Sequence, residues 1–169
     1  RTGMGAVMGS KNLKAIATRG TNRLDIADKD AASDVRKWYA ETYDRDNDRM
    51  HIYGTAGIVG ALSESGILPT RNFREGEFEY AEELDGRTLA DTLLKKRGTC
   101  YACAVACKRE VEDEETGLDT KYGGPEYETI AANGSLLGVG DLKKVCMASQ
   151  LLNQYVLDSI STGTTMAFA

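Results

Sequence analysis

The sequence has one histidine, His51, one tryptophan, Trp38, and two prolines, Pro69 and Pro125. With a single imidazole, a zinc site of the mixed Cys/His type has no second pair to complete it. Only four cysteines occur, three of them within eight residues, a poor pattern for a disulfide framework. No apolar stretch approaches the ~20 residues that a membrane-spanning helix needs, and no secretory signal is visible. Lys and Arg number 21 against 26 Asp and Glu, a formal charge of −5, which leaves no basic footprint for nucleic acid. What is present is an ordinary globular composition, 41% hydrophobic and 28% charged over 169 residues, enough for one domain or somewhat more. The chain opens at Arg1 inside a glycine-rich run and stops without a polar closing segment, so it is expected to be an internal piece of a longer protein.

The three crowded cysteines are Cys100, Cys103 and Cys107, a CxxCxxxC run. On a helix these positions fall within about 60° of one another and make a sulfur face. A continuous helix would spread the outer sulfurs along roughly 10 Å of axis. Cys100 is therefore expected in the loop after Gly98-Thr99, with Cys103 and Cys107 on the first turns of a helix. Iron–sulfur ligation takes four thiolates per cluster, and a close triplet with a remote fourth satisfies it. Two other readings stay open: structural zinc, and cysteines serving as small apolar residues of an Ala/Val-rich helix. The fourth cysteine, Cys146, shares a helical face with Leu142, Val145, Ser149, Leu152 and Val156, which reads as core. The fourth ligand is therefore expected outside the chain, with Cys146 the alternative.

Along the rest of the chain the pattern is mainly helical. Gly3, Gly5 and Gly9 allow close backbone approach and lead into a strand-like Leu13–Thr18. Residues 30–50 have amphipathic helical spacing, with Val35, Trp38, Tyr39 and Thr42 on one side. Gly54 to Glu64 is expected to be a helix capped by Thr55. Gly66 to Phe73 is a turn, and the acidic stretch Glu75–Glu83 a solvated surface. Thr88 to Arg97 is expected to be a short helix delivering the chain to Cys100, and Glu110–Asp119 an exposed hairpin or loop. Gly123-Gly124-Pro125 then opens a helix with Glu126 and Glu128 near its start, where the macrodipole favours ionised carboxylates. A carboxylate on so rigid an entry also suits proton transfer. Asp158, Ser159, Ser161 and Thr162 cluster at a helix junction, as a cap or as contacts for a polar cofactor.

Taken in order, Arg1 to Ile16, Gly54-Thr-Ala-Gly57, Leu68-Pro-Thr-Arg-Asn-Phe73, Cys100 to Cys107, Gly124-Pro-Glu-Tyr-Glu-Thr129 and Leu157-Asp-Ser-Ile-Ser-Thr-Gly163 resemble the tungsten-containing aldehyde:ferredoxin oxidoreductases. The resemblance implies a mainly α chain: residues 1–24 would end an N-terminal pterin-binding β domain, and 25–169 would form most of helical domain 2, with a short β-containing N-terminal edge. It implies a tungsten or molybdenum bis-pterin beside a 4Fe-4S cluster, with Cys100, Cys103 and Cys107 as cluster ligands. Arg1 and Thr2 match a pterin-approaching segment. Asn153, Leu157 and Asp158 match a DxxGLD pterin motif, and Glu128 matches the active-site glutamate. Three features depart from the family pattern. Asn153 replaces the first acid and Val156 the glycine of DxxGLD, Ala102-Cys103-Ala104 stands where Gly-Cys-Pro is usual, and the ExxH motif of some members has no counterpart.

The implied reaction is oxidation of a small aldehyde to a carboxylic acid, with ferredoxin or another iron–sulfur carrier taking the electrons. A cytoplasmic setting, in a homodimer or hetero-oligomer, would go with it. The rivals are a same-fold enzyme acting on another substrate, such as reductive chemistry on activated aromatic acids, an iron–sulfur electron-transfer module without pterin, and a structural zinc domain.

Overall fold

The computed structural model describes residues 2–22 and 24–169. Among these the chain runs through helices α1 (Met4–Ser10), α2 (Lys29–Thr42), α3 (Arg49–Tyr53), α4 (Val59–Glu64), α5 (Ala81–Leu84) and α6 (Gly86–Thr92). An antiparallel hairpin of β1 (Leu94–Gly98) and β2 (Lys108–Val111) follows, then α7 (Tyr127–Asn133), α8 (Leu142–Gln154) and α9 (Ser159–Phe168). The architecture is mainly helical, as the sequence pattern implies.

Helix α8 shows how local sequence sets an element. The Asp141 carboxylate accepts from the Lys144 amide at 3.1 Å and so caps the N-terminus. Leu142, Val145, Cys146, Ser149 and Leu152 recur at helical spacing and are all buried. That stripe joins a core built on Val59, Leu68, Leu84, Leu89 and Ile130, each fully buried. At about 25 cal/mol per Å2, each such side chain contributes roughly 1.5–3 kcal/mol to folding. Asp85 is buried too, and its carboxylate accepts from the Arg87 amide at the start of α6 and from the Gly60 amide of α4, both at 3.0 Å. One side chain thereby satisfies donors of two helices.

Helix α7 is enclosed from Thr129 to Asn133, and α9 lies across it. The crossing is close: a Cβ at Gly163 would stand 2.4 Å from the Ala132 carbonyl oxygen. Around it, the Thr129 and Ser159 hydroxyls are 2.8 Å apart, and Asn133 Nδ2 donates to the carbonyls of Thr129 and Ser159 at 3.0 and 3.1 Å. Every polar group buried there thus has a partner.

Several local expectations change. Cys103 and Cys107 are not helical: Thr99 to Cys107 is the irregular connection of the β1–β2 hairpin. Ala102 and Ala106 adopt left-handed backbone, φ 54° and 51°, which a right-handed helix cannot hold. The helix expected over Thr88–Arg97 ends at Thr92, and the Lys-Lys-Arg stretch becomes β1, which pairs with β2. Leu13 to Thr18 is irregular, with no second strand beside it among the described residues to complete a ladder. The 30–50 helix breaks after Thr42, and α2 buries none of its residues; Val35 and Trp38 are each 63% exposed. Thr55 does not cap its own helix. Its hydroxyl oxygen instead accepts from the Tyr127 amide at 3.0 Å, capping α7 from 72 residues away.

Candidate functional site

The hairpin carries the three cysteines in one loop. Cys100 and Cys103 are exposed and Cys107 is half-buried. The Cys103 amide donates to the Cys100 carbonyl at 3.2 Å, closing a turn through Tyr101 and Ala102. The Thr99 hydroxyl lies 2.7 Å from the Cys103 carbonyl and 3.0 Å from that of Cys100. Left-handed alanines directly precede Cys103 and Cys107, a strain of order 1–3 kcal/mol each that the surrounding contacts hold in place.

The Cys107 thiol senses its neighbours. Burial pushes the Cys107 thiol up, and negative charge at Glu126, Cys103 and Cys100 adds to the shift. Without a cation, three thiolates in this loop repel; a bound cation reverses that balance and favours the deprotonated ligands. The side chains as placed are not gathered at one point: among the described residues no group of three or more His, Cys, Asp or Glu is positioned to hold a metal ion. The donor set nonetheless suits a thiolate-ligated cluster, with three thiols on a short loop that helix or strand hydrogen bonding does not constrain. Cys146 lies in the core on α8, 1% exposed, its thiol pushed up to about 12 by burial and then by Asp141.

Two carboxylates lie at the start of α7, and one of them is coupled to the loop. Glu128 is exposed in the first turn of α7. Glu126, two residues earlier, faces inward. It accepts from the Thr55 hydroxyl, and its charge is felt by both Cys107 and Arg109. Sequence reasoning treated Glu126 as a helix-start acid and passed over Arg109. The contacts that distinguish them span dozens of residues and leave no local pattern.

The second group of expected residues does come together. The Thr2 amide donates to Asp158 Oδ1 at 2.8 Å, and Asp158 Oδ2 accepts from the Ser161 amide at 2.9 Å and from the Ser161 hydroxyl. These bonds, those from Ser161 foremost, hold the Asp158 carboxyl at about 2, so it is ionised at neutral pH. Asn153 and Leu157 join Gly3, Met4, Gly5 and Val156 around a cavity of about 100 Å3. Asn153 Nδ2 donates to the Tyr122 carbonyl at 3.1 Å. Arg1 lies outside the described residues. Thr2 and Val156, both β-branched, have φ 74° and 60°, outliers for such side chains. Val156 occupies the position where the family motif has glycine, and its left-handed backbone supplies the reason for that glycine. These residues fit the rim of a polar cofactor, and the cavity is too small to enclose one.

Fold and site together describe a mainly helical domain that presents a three-cysteine loop between the two strands of its β1–β2 hairpin, a build suited to redox chemistry. The family model for "Aldehyde ferredoxin oxidoreductase, domains 2 & 3" matches residues 30–169. The chain belongs to the aldehyde ferredoxin oxidoreductase family. It is 41% identical over 172 aligned positions to the tungsten-containing aldehyde ferredoxin oxidoreductases of Pyrococcus abyssi and Pyrococcus horikoshii, covering 100% of this chain and 28% of each relative. It is also 31% identical over 178 positions to the aliphatic sulfonate oxidoreductase, WOR-like subunit, of Pyrococcus furiosus, with 99% of this chain and 27% of the relative covered. The chain thus spans a little over a quarter of the length of these relatives.

Proposed function

We propose that this chain is part of an oxidoreductase that converts a small aldehyde to its carboxylic acid, with Cys100, Cys103 and Cys107 ligating a 4Fe-4S cluster. The observation that carries the reading is the hairpin loop itself, which carries three free cysteines within eight residues in a member of this family. Residues 1–24 would close a pterin-binding domain and residues 25–169 form most of the helical one, a division supported by a family match that starts at residue 30. The reaction adds the oxygen of water to the aldehyde and releases two electrons and two protons, the electrons leaving singly to ferredoxin or a similar carrier. A tungsten or molybdenum bis-pterin, when bound, supplies the two-electron chemistry, and the cluster the one-electron path.

The residues of the chain have narrower tasks. Thr2, Asn153, Leu157 and Asp158, with Arg1, hold the cofactor rim, the ionised Asp158 accepting from a donor on it. Glu128 takes and returns the proton, aided by its position at the start of α7. Four free cysteines and the absence, among the described residues, of a helix long and apolar enough to cross a membrane accord with work in a reducing compartment, the cytoplasm. Kinship to a sulfonate oxidoreductase subunit favours one second reading: the same scaffold acting on a different small substrate.

The test is elemental analysis and turnover of the anaerobically purified full-length enzyme. Wild type should contain iron together with tungsten or molybdenum, and Cys103→Ala should lose most of the iron. Glu128→Gln should cut aldehyde turnover by about 10²–10⁴-fold with metal content intact, the range for a lost general acid or base. Iron without tungsten or molybdenum would leave an electron-transfer module, zinc alone a structural domain, and full turnover in Glu128→Gln would remove that residue from the mechanism.

A further inference from the structure

Four successive main-chain carbonyls in the cysteine loop are each taken by a basic side chain. Arg45 Nη2 donates to the Ala104 carbonyl at 2.9 Å, and His51 Nδ1 lies 2.6 Å from that of Val105. Arg109 Nη2 donates to the Ala106 carbonyl and Nε to the Cys107 carbonyl, both at 3.0 Å. Arg109 is 1% exposed, and its other bonds reach the carbonyls of His51 and Ile52 in α3 at 2.9 and 2.8 Å, so one buried guanidinium joins the loop to that helix. Arg45 and His51 come from the same side, Arg45 on the short turn before α3 and His51 within α3. Gly54, at the end of α3, makes the approach feasible: with φ +67°, a Cβ there would meet the Cys107 carbonyl at 2.9 Å and Arg109 Nε at 3.1 Å.

The arrangement has a geometric consequence. In a planar trans peptide the N–H of one residue points opposite to the carbonyl of the residue before it. With the carbonyls of residues 104, 105 and 106 drawn toward α3, the amides of Val105, Ala106 and Cys107 are turned to the other side of the loop. Successive amides sharing one direction form an anion-binding concavity, and amide hydrogen bonds to sulfur are among the determinants of cluster potential.

We propose that Arg45, His51 and Arg109 are positioning residues that clamp the carbonyls of the cysteine loop toward α3 and turn its amides toward the thiolate-bound cluster. The proposal rests on the cluster reading given above. It assigns a role to the single histidine: His51 orients the main chain of a ligand loop. It also accounts for a buried arginine whose hydrogen bonds all end on main-chain carbonyls.

The test uses full-length enzyme purified without oxygen. In the double variant Arg45→Gln, His51→Gln the buried Arg109 is untouched and the core is kept. Loss of iron to a chelator should be about tenfold faster than in wild type, the lower range for losing partners that orient ligands. The cluster's midpoint potential in a titration followed by electron paramagnetic resonance should move to a more negative value, because the reduced, more anionic state loses oriented donors. Arg45→Lys, which keeps a cationic donor, should lie closer to wild type on both readouts. A folded double variant with wild-type potential and wild-type iron retention overturns the clamp. Wild-type enzyme without an iron–sulfur signal overturns the cluster reading itself, so the two failures are distinguishable.

Discussion

At the scale of single residues, two side chains stand where this family's pattern has glycine, and both are left-handed: Ala102 at φ 54° and Val156 at φ 60°. The substitutions were legible in the sequence as departures, but their consequence was not, because φ is set by the turn each residue has to complete. Ala102 closes the turn between Cys100 and Cys103 and carries only a methyl group, so it allows a clean test. A left-handed backbone costs an L-residue roughly 1–2 kcal/mol relative to glycine. The greater freedom of glycine in the unfolded chain returns about 0.4–1 kcal/mol of that. Ala102→Gly should therefore stabilise the protein by about 0.5–1 kcal/mol in urea unfolding, with no loss of iron. A decrease in stability would mean that the surrounding contacts, and not tolerance of strain, select alanine there.

At the scale of elements, legibility followed periodicity. The buried stripe of α8 was readable from spacing alone, down to the placement of Cys146 in the core, because one helical face with one core behind it leaves a single solution. The cysteine run misled for the same reason. Its i, i+3, i+7 spacing is helical, yet the flanking Leu94–Gly98 and Lys108–Val111 pair as strands, and that pairing is a long-range choice that spacing does not encode. The α7–α9 crossing was equally hidden. It depends on Gly163, whose missing side chain lets α9 lie on the Ala132 main chain. A methyl group there would meet the Ala132 carbonyl oxygen at 2.4 Å, its carbon at 2.6 Å and Cβ at 3.0 Å, contacts that only a backbone shift relieves. Gly163→Ala should cost about 1–3 kcal/mol, as overpacking of a tight contact does. Gly9→Ala in α1, where nothing lies within 4 Å, is the control and should be neutral or slightly stabilising. Equal effects of the two substitutions in thermal unfolding would show that helix propensity, and not the crossing, governs Gly163.

At the scale of the whole molecule, residues far apart in sequence share one carboxylate: Asp158 caps α9 through Ser161 and holds the N-terminal segment through the Thr2 amide, 156 positions away. The junction was recognisable as a cap or as a polar contact set. That it is also a tether was not, since a main-chain donor leaves no mark in the sequence. The tether has a pH signature whose sign follows from its hydrogen bonds. They favour the ionised form, so the folded-state value lies at about 2, below the ordinary 3.8. Between those values the unfolded chain binds more protons at this site than the folded one does. Its stabilising contribution is therefore fully present above about pH 4 and is lost as the pH falls toward 2. The difference in unfolding free energy between wild type and Asp158→Asn isolates this group from the other carboxylates. It should be constant from neutral pH down to about pH 4 and shrink steadily below that. Amide exchange of Thr2 at neutral pH should be faster in the variant, because the neutral amide is a weaker acceptor than the carboxylate. A stability difference that persists unchanged to pH 2 would mean that side-chain shape, and not charge, joins the N-terminal segment to α9.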